Sequence, residues 1–373
     1  MSQTSFARRL LFPLIPLYRL ALAFTELRFL LEPARRLRFP VISIGNLSTG
    51  GAGKTPLTIT LAKALKKRGL RVDVLSRGYG RQSSRPDRVR DDGTAAEFGD
   101  EPLLIAYDAN VPVYVAARRY DAGVLAEAEV EAVAIAGSKT EVQEPDKLSE
   151  TAAEATPSNE SLTKEARAET EKFEALPPLR VHLLDDGFQH RQLDRAVNIL
   201  MLNQRDWRDW LLPAGNLREP IEAARRASVI AIPANEPELE AELCVWGWSG
   251  PIWHLHRKME IPLVNSPIAA FCGIARPEQF FAGLEAIGLE VPMQIAFPDH
   301  FSYTHELLEE LIAEAQEKEA TAILTTEKDL VRLGRLVYLF PKTMPLAVAR
   351  LRIEIDEQKE AIDWLVERLR AGL

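Results

Sequence analysis

Short unbroken apolar runs, several ending in glycine or an acid, alternate along this chain with stretches whose apolar residues fall three and four apart. Residues 41–44 form the first such run and read as a buried strand. After it, Leu57, Leu61, Ala64 and Leu65 share one helical face, and Gly69 can end that helix. Residues 71–76, 111–115, 181–184, 198–202 and 228–232 read as further strands. Residues 130–136 are apolar throughout except for Glu131 and fit either a strand or the end of a helix. A second α/β unit begins near residue 260. It has strands at 268–272 and 322–326, helices at 277–287 and 361–369, and a helix capped by Thr304. Alternating strands and helices predict a mainly parallel sheet with helices on both faces.

Two stretches break this rhythm. Residues 137–178 hold ten acids and five bases with almost no aromatic residues. Such a composition buries too little apolar surface to offset ordering entropy, so a disordered insertion is expected there. Near the start, residues 10–31 are mostly apolar but are interrupted by Pro13, Pro16, Arg19, Glu26 and Arg28. A spanning helix wants ~20 largely uncharged residues, and no small-residue cleavage site for a secretory signal follows. Three readings stay open: a helix in the membrane interface with its arginines near anionic headgroups, a helix packed on the protein's own core, and a true span.

Charge sharpens that picture. The 373 residues carry a formal net charge of −8, which argues against general nucleic-acid affinity. Residues 1–40 oppose this balance, with seven arginines against Glu26 and Glu32. The length allows two domains. Cys244 and Cys272 offer neither a disulfide framework nor metal-ligand spacing, as expected of a protein in a reducing cytosol.

The chemistry concentrates where the first strand meets Ser48-Thr49-Gly50-Gly51-Ala52-Gly53-Lys54-Thr55. A glycine-rich turn between strand and helix lets backbone N–H groups approach phosphate oxygens. A lysine then reaches the terminal phosphates, and a hydroxyl ligates magnesium. The strict pattern wants glycine at position 48, where this chain has serine. The strand at 181–184 ends in Asp185-Asp186, where a nucleotide site places its magnesium-handling carboxylate; an ordinary strand-to-turn acid is the plainer reading. Gln189 follows within Gly-Phe-Gln-His-Arg. Asp100 in Gly99-Asp100-Glu101-Pro102 makes a good helix N-cap. His300 stands alone in a loop, and Arg218 fits either a phosphate clamp or a surface ion pair.

Together these segments resemble the tetraacyldisaccharide 4'-kinase family. The resemblance rests on Ser43-Ile44-Gly45-Asn46 with Gly50–Pro56, and on Ser76-Arg77-Gly78-Tyr79-Gly80 and Gly99-Asp100-Glu101-Pro102. It continues through Leu184-Asp185-Asp186-Gly187-Phe188-Gln189-His190, Pro213-Ala214-Gly215 and Leu217-Arg218-Glu219-Pro220. Gly273-Ile274-Ala275 with Pro277, Pro298-Asp299-His300 and Thr325-Thr326-Glu327-Lys328-Asp329 complete it. Ser48 accords with the family's loop, and residues 137–178 look like an addition the family does not need.

The resemblance implies an α/β protein with a P-loop NTPase-like parallel-sheet core over residues 39–260. A smaller α/β subdomain over 261–373 and a membrane-associated helix within 1–38 complete the implied architecture. It implies an enzyme that uses ATP and Mg2+ to phosphorylate the 4'-hydroxyl of a lipid A disaccharide precursor at the cytosolic face of the inner membrane. By the same resemblance Lys54 and residues 48–55 hold the phosphates, and Thr55, Glu101, Asp185, Asp186 and Gln189 lie in or near the metal shell. Asp100 is the base, paired with His300, and Arg218 stabilises charge. Lys328 and Asp329 are expected toward the adenine. A membrane-tethered nucleotide switch would share the loop but would need no acceptor-directed base. A soluble small-molecule kinase is disfavoured by the greasy, basic N-terminus.

Overall fold

The computed structural model describes residues 10–50, 53–140 and 179–372. Its strands are β1 (Val41–Asn46), β2 (Arg71–Ser76), β3 (Asp87–Arg88), β4 (Val113–Val115), β5 (Arg180–Leu184) and β6 (Val197–Met201). They continue with β7 (Val229–Pro233), β8 (Ile252–Glu260), β9 (Ile268–Cys272), β10 (Met293–Ala296), β11 (Ala322–Thr326) and β12 (Leu346–Ile355). The main helices are α1 (Ile15–Leu31), α2 (Lys54–Lys67), α3 (Asp100–Ala109), α4 (Arg119–Thr140) and α5 (Pro237–Val245). After them come α6 (Pro277–Ala286), α7 (His305–Glu317), α8 (Glu327–Leu333) and α9 (Gln358–Ala371).

All twelve strands join one sheet in the order β10-β9-β11-β12-β8-β7-β6-β1-β5-β2-β4-β3. Neighbours run parallel except at β12/β8 and at β3/β4. Strand β1 lies between β5 and β6 and is buried along its whole length, as its continuous apolar run requires when helices cover both faces. The turns that follow β1 and β5 therefore emerge side by side at the same edge of the sheet, where ligands of open α/β sheets bind.

Residues 130–136 resolve as helix, inside α4. Residues 137–140 of the expected insertion finish that helix, and 141–178 lie outside the described residues.

The two expected units are continuous through an antiparallel ribbon, Arg350↔Glu260 to Ile355↔Leu255. The chain then returns across it. Helix α9 buries Ala361, Ile362, Leu365 and Leu369 in the same apolar cluster as Ile42 and Ile44 of β1 and Leu57, Leu61 and Leu65 of α2. A separate cluster around Phe271, Tyr303, Leu308, Leu311 and Ile323 forms the interior of the C-terminal unit.

Helix α1 is apolar on two sides. Ile15, Tyr18 and Leu22 pack against a cluster containing Leu47, Phe188 and Leu217. Leu10 and Leu14 before it, then Leu17, Leu20, Phe24, Leu27 and Leu31, are exposed at helical spacing. No helix among the described residues is long and apolar enough to cross a membrane.

Candidate active site

The loop after β1 is fixed from below by a distant segment. Ser48 bridges Leu217 in antiparallel fashion, Thr49 N donates to Asn216 O at 2.8 Å, and Arg218 N donates to Leu47 O at 2.7 Å. The Ser48 hydroxyl is buried and donates to Asp206 Oδ2 at 2.9 Å, while accepting from Asn46 Nδ2 at 3.1 Å. Serine at the expected glycine position therefore ties the loop down. Gly53 takes a left-handed φ of +88° and caps α2, whose positive end points into the loop. A Cβ there would lie 2.8 Å from Arg257 Nη2 and 3.1 Å from Ile353 Cδ1, one on each strand of the ribbon. Thr55 is buried in the first turn of α2. Gly51 and Ala52 lie outside the described residues.

Lys54 faces the acids at the end of β5. Its Nζ is 3.3 Å from Asp186 Oδ1 and donates to Asn46 Oδ1 at 3.1 Å. Arg218 Nη1 lies 3.3 Å from Asp186 Oδ2 and 3.4 Å from Gln189 Oε1, while Gln189 Nε2 donates to Asn46 O at 2.6 Å. Burial opposes ionisation of Asp186, but Lys54 and Arg218 hold it below the usual carboxylate range. Asp185 is the contrary case. It is buried and accepts from Thr58 Oγ1 at 3.1 Å; burial, then the charges of Glu101 and Asp186, push it up to about 7. These acids lie close enough to repel one another, and a cation among them would relieve that repulsion. The described residues contain no ready-made cluster of three or more metal-binding side chains. Mg2+ commonly takes one or two carboxylates together with phosphate oxygens, so a preformed cage is not needed.

A second cationic group lies nearby. Arg119 is buried, and its Nη2 reaches Asp186 O at 3.5 Å. Burial, then the charges of Arg119, Arg195 and Arg77, push His190 down to about 4.

On the neighbouring helix, Gly99 rather than Asp100 is the N-cap of α3, and its φ of +88° turns the chain into the helix. A Cβ at Gly99 would sit 2.9 Å from Tyr79 O, so the turn also needs a residue without one. Asp100 stands in the first turn, buried, and its side chain reaches toward the C-terminal unit. His300 Nδ1 is 3.1 Å from Asp100 Oδ2, and the His300 ring lies 5.2 Å from that of Tyr79. Arg332 of α8 also grips Asp100, with Nε 2.9 Å from Oδ2. Burial works against ionisation, but His300, Arg332 and Lys328 hold Asp100 well below the usual carboxylate range. The hydrogen bond to Asp100, more than the charges around it, raises His300 above its ordinary range.

Two sequence expectations change here. Lys328 Nζ lies 2.7 Å from Glu101 Oε1, so the expected metal-shell acid is held by a lysine from the C-terminal unit. Lys328 and Asp329 were expected toward the adenine. Instead, Asp329 accepts from Gly273 N and Tyr303 OH inside that unit. Arg119 and Arg332 were not among the predicted residues. Neither belongs to a recognisable local motif.

Comparison with known proteins fits this arrangement. The chain matches the family described as tetraacyldisaccharide-1-P 4'-kinase (LpxK) over residues 7–138 and 147–370. The protein belongs to that family. Among its relatives, a tetraacyldisaccharide 4'-kinase of Koribacter versatilis is 35% identical over 89% of this chain and 90% of its own. Another from Aquifex aeolicus is 33% identical over 80% and 81%. The crystal structure of LpxK from Aquifex aeolicus in complex with ATP matches with a TM-score of 0.67 at 28% identity, covering 97% of this chain and 99% of that one. Between residues 7 and 370 the family match omits only 139–146, so most of the acidic stretch at 137–178 falls within it.

Proposed function

We propose that this protein transfers the γ-phosphoryl group of ATP to the 4'-hydroxyl of a tetraacyldisaccharide 1-phosphate, a step of lipid A biosynthesis. The observation that carries this reading is the meeting of Asp100 and His300, 3.1 Å apart, in addition to the group of Lys54, Asp186 and Arg218. A nucleotide switch needs the second group only. A kinase needs both, because a sugar hydroxyl is a poor nucleophile until a base receives its proton.

In this reading Lys54 and the backbone of residues 48–55 hold the β- and γ-phosphates. The Thr55 hydroxyl and the Asp186 carboxylate would hold Mg2+, with Asp185, Gln189 and Glu101 in or near its shell. The ion supplies charge neutralisation on the transferring oxygens. Asp100 accepts the proton of the 4'-hydroxyl, whose oxygen bonds to the γ-phosphorus as the bond to ADP breaks. Arg218 stabilises the charge in transit. Arg77 and Arg119 form a cationic pair beside Asp186, with His190 held neutral next to them, suited to the substrate's own phosphate.

The exposed stripe of α1 and the arginines of residues 1–38 seat the enzyme on the cytosolic face of the inner membrane, where an acylated substrate resides. The net negative charge elsewhere suits no nucleic-acid partner. Mixing the purified protein with ATP, Mg2+ and the lipid monophosphate tests the reading. Formation of a lipid bisphosphate supports it; ATP hydrolysis with unchanged lipid would sink it.

A further inference from the structure

Three C-terminal segments singled out in the sequence lie apart from the phosphate loop: Gly273-Ile274-Ala275, Asp299-His300 and Thr326-Glu327-Lys328-Asp329. In the fold they converge on one guanidinium. Arg332 Nη1 donates to Gly273 O and lies 3.0 Å from Asp329 Oδ1. Nη2 lies 3.6 Å from Asp299 Oδ1 and 3.5 Å from His300 Nδ1. Asp329 is fixed in turn, accepting from Gly273 N at 3.1 Å, Tyr303 OH at 2.9 Å and Thr326 Oγ1 at 2.6 Å. The free edge of this fork meets Asp100 of the other unit, with both Nε and Nη2 on Oδ2. The side chains of Arg332 and Asp100 are each only 4% exposed. Charged groups facing Asp100 are thus Arg332 and Lys328 from α8, His300 and Asp299 from the loop after β10, and its neighbour Glu101.

We propose that Arg332 is a positioning residue for phosphoryl transfer, a rigid fork built by the C-terminal unit to hold Asp100 at the angle from which it meets the acceptor hydroxyl. A fork caged on its far side pins Oδ2, and Glu101 N donates to Oδ1 at 3.0 Å, so both oxygens of Asp100 are held. The effect falls on turnover and leaves nucleotide affinity alone, because none of the contacts of Arg332 touch the phosphate loop. The inference rests on Asp100 being the base.

The test is a double-mutant cycle on the full chain, with steady-state kinetics and fluorescent-ATP binding. Arg332→Met should lower kcat by about 10²-fold, the scale of a misplaced catalytic group, with the ATP dissociation constant within about twofold of wild type. Arg332→Lys, which keeps the charge but loses the fork, should recover part of the loss and keeps the test open if the methionine variant fails to bind ATP. In an Asp100→Asn background, Arg332→Met should cost little more. Losses that multiply in the double variant, or a kcat unchanged by either substitution at 332, would overturn the proposal. Near-normal turnover of Asp100→Asn alone would instead remove the base assignment beneath it.

Discussion

Lys54 and Asp100 stand in the first turns of two different helices, α2 and α3, and their loss should be felt differently. Lys54→Ala removes the cation beside Asp186 and should weaken ATP binding and turnover together. Asp100→Ala should lower kcat by about 10²–10⁴-fold while the ATP dissociation constant holds, the range expected for a lost general base. Steady-state kinetics with equilibrium ATP binding separates the two. Ser48→Ala removes one of the two side-chain donors to Oδ2 of buried Asp206, leaving Asn203 Nδ2, and should cost about 1–3 kcal/mol in urea unfolding. Legibility at this scale follows sequence distance. Lys54, Thr55 and Asp186 could be read because a glycine-rich turn and a strand-end acid are local signals. The role of Ser48 depends on a partner 158 positions away, and that of Arg332 on one 232 away. No window of sequence contains such pairs. The partner of Glu101 was illegible for the same reason, since Lys328 comes from the far unit.

Among the elements, α1 and the β2–β5 pair make separable predictions. The apolar run of α1 was legible, but its sidedness was not, because both faces are apolar and only the fold shows which one is covered. Leu17→Ser with Phe24→Ser alters exposed positions alone, sparing Tyr18, whose hydroxyl donates to Arg218 O at 2.8 Å. Each lost insertion is worth about 1.5–3 kcal/mol, so the pair should cut partition onto anionic vesicles by at least about 100-fold. Co-sedimentation with vesicles checks this, and unchanged partition would remove α1 as the anchor. Within the sheet, His182 of β5 is fully buried between Asp73 of β2 and Glu127 of α4. Burial alone would lower it, but the two carboxylates raise it from 6.5 to about 9. The folded state thus binds this proton more tightly than the unfolded chain. The resulting stability is complete below about pH 6.5 and is lost as the pH climbs through about 9, by up to ~3 kcal/mol. His182→Gln should flatten the fall of melting temperature over that window.

At the scale of the whole molecule, the parallel sheet, the order of its strands' chemistry and the existence of a second α/β unit were readable from alternation and turn residues. The ribbon that joins the units was not among the predicted elements. Strand β12 does alternate in its second half, with Leu351, Ile353 and Ile355 between charged neighbours, but β8 turns polar after Leu255 and lacks a clear period. That ribbon rests on the phosphate loop through Gly53, and Thr60 of α2 donates to Ile353 O at 2.8 Å. The nucleotide-binding helix and the unit carrying His300 and Arg332 are therefore mechanically joined at the centre of the sheet. A site completed only by both units suits an enzyme that must transfer a phosphoryl group to lipid without losing it to water. The most direct measurement of that claim supplies γ-labelled ATP, Mg2+ and tetraacyldisaccharide 1-phosphate in mixed micelles and follows the label. The account predicts label at the 4'-position of a lipid bisphosphate, abolished in Lys54→Ala and strongly reduced in Asp100→Ala. Label recovered as free phosphate, with the lipid still a monophosphate, would contradict it.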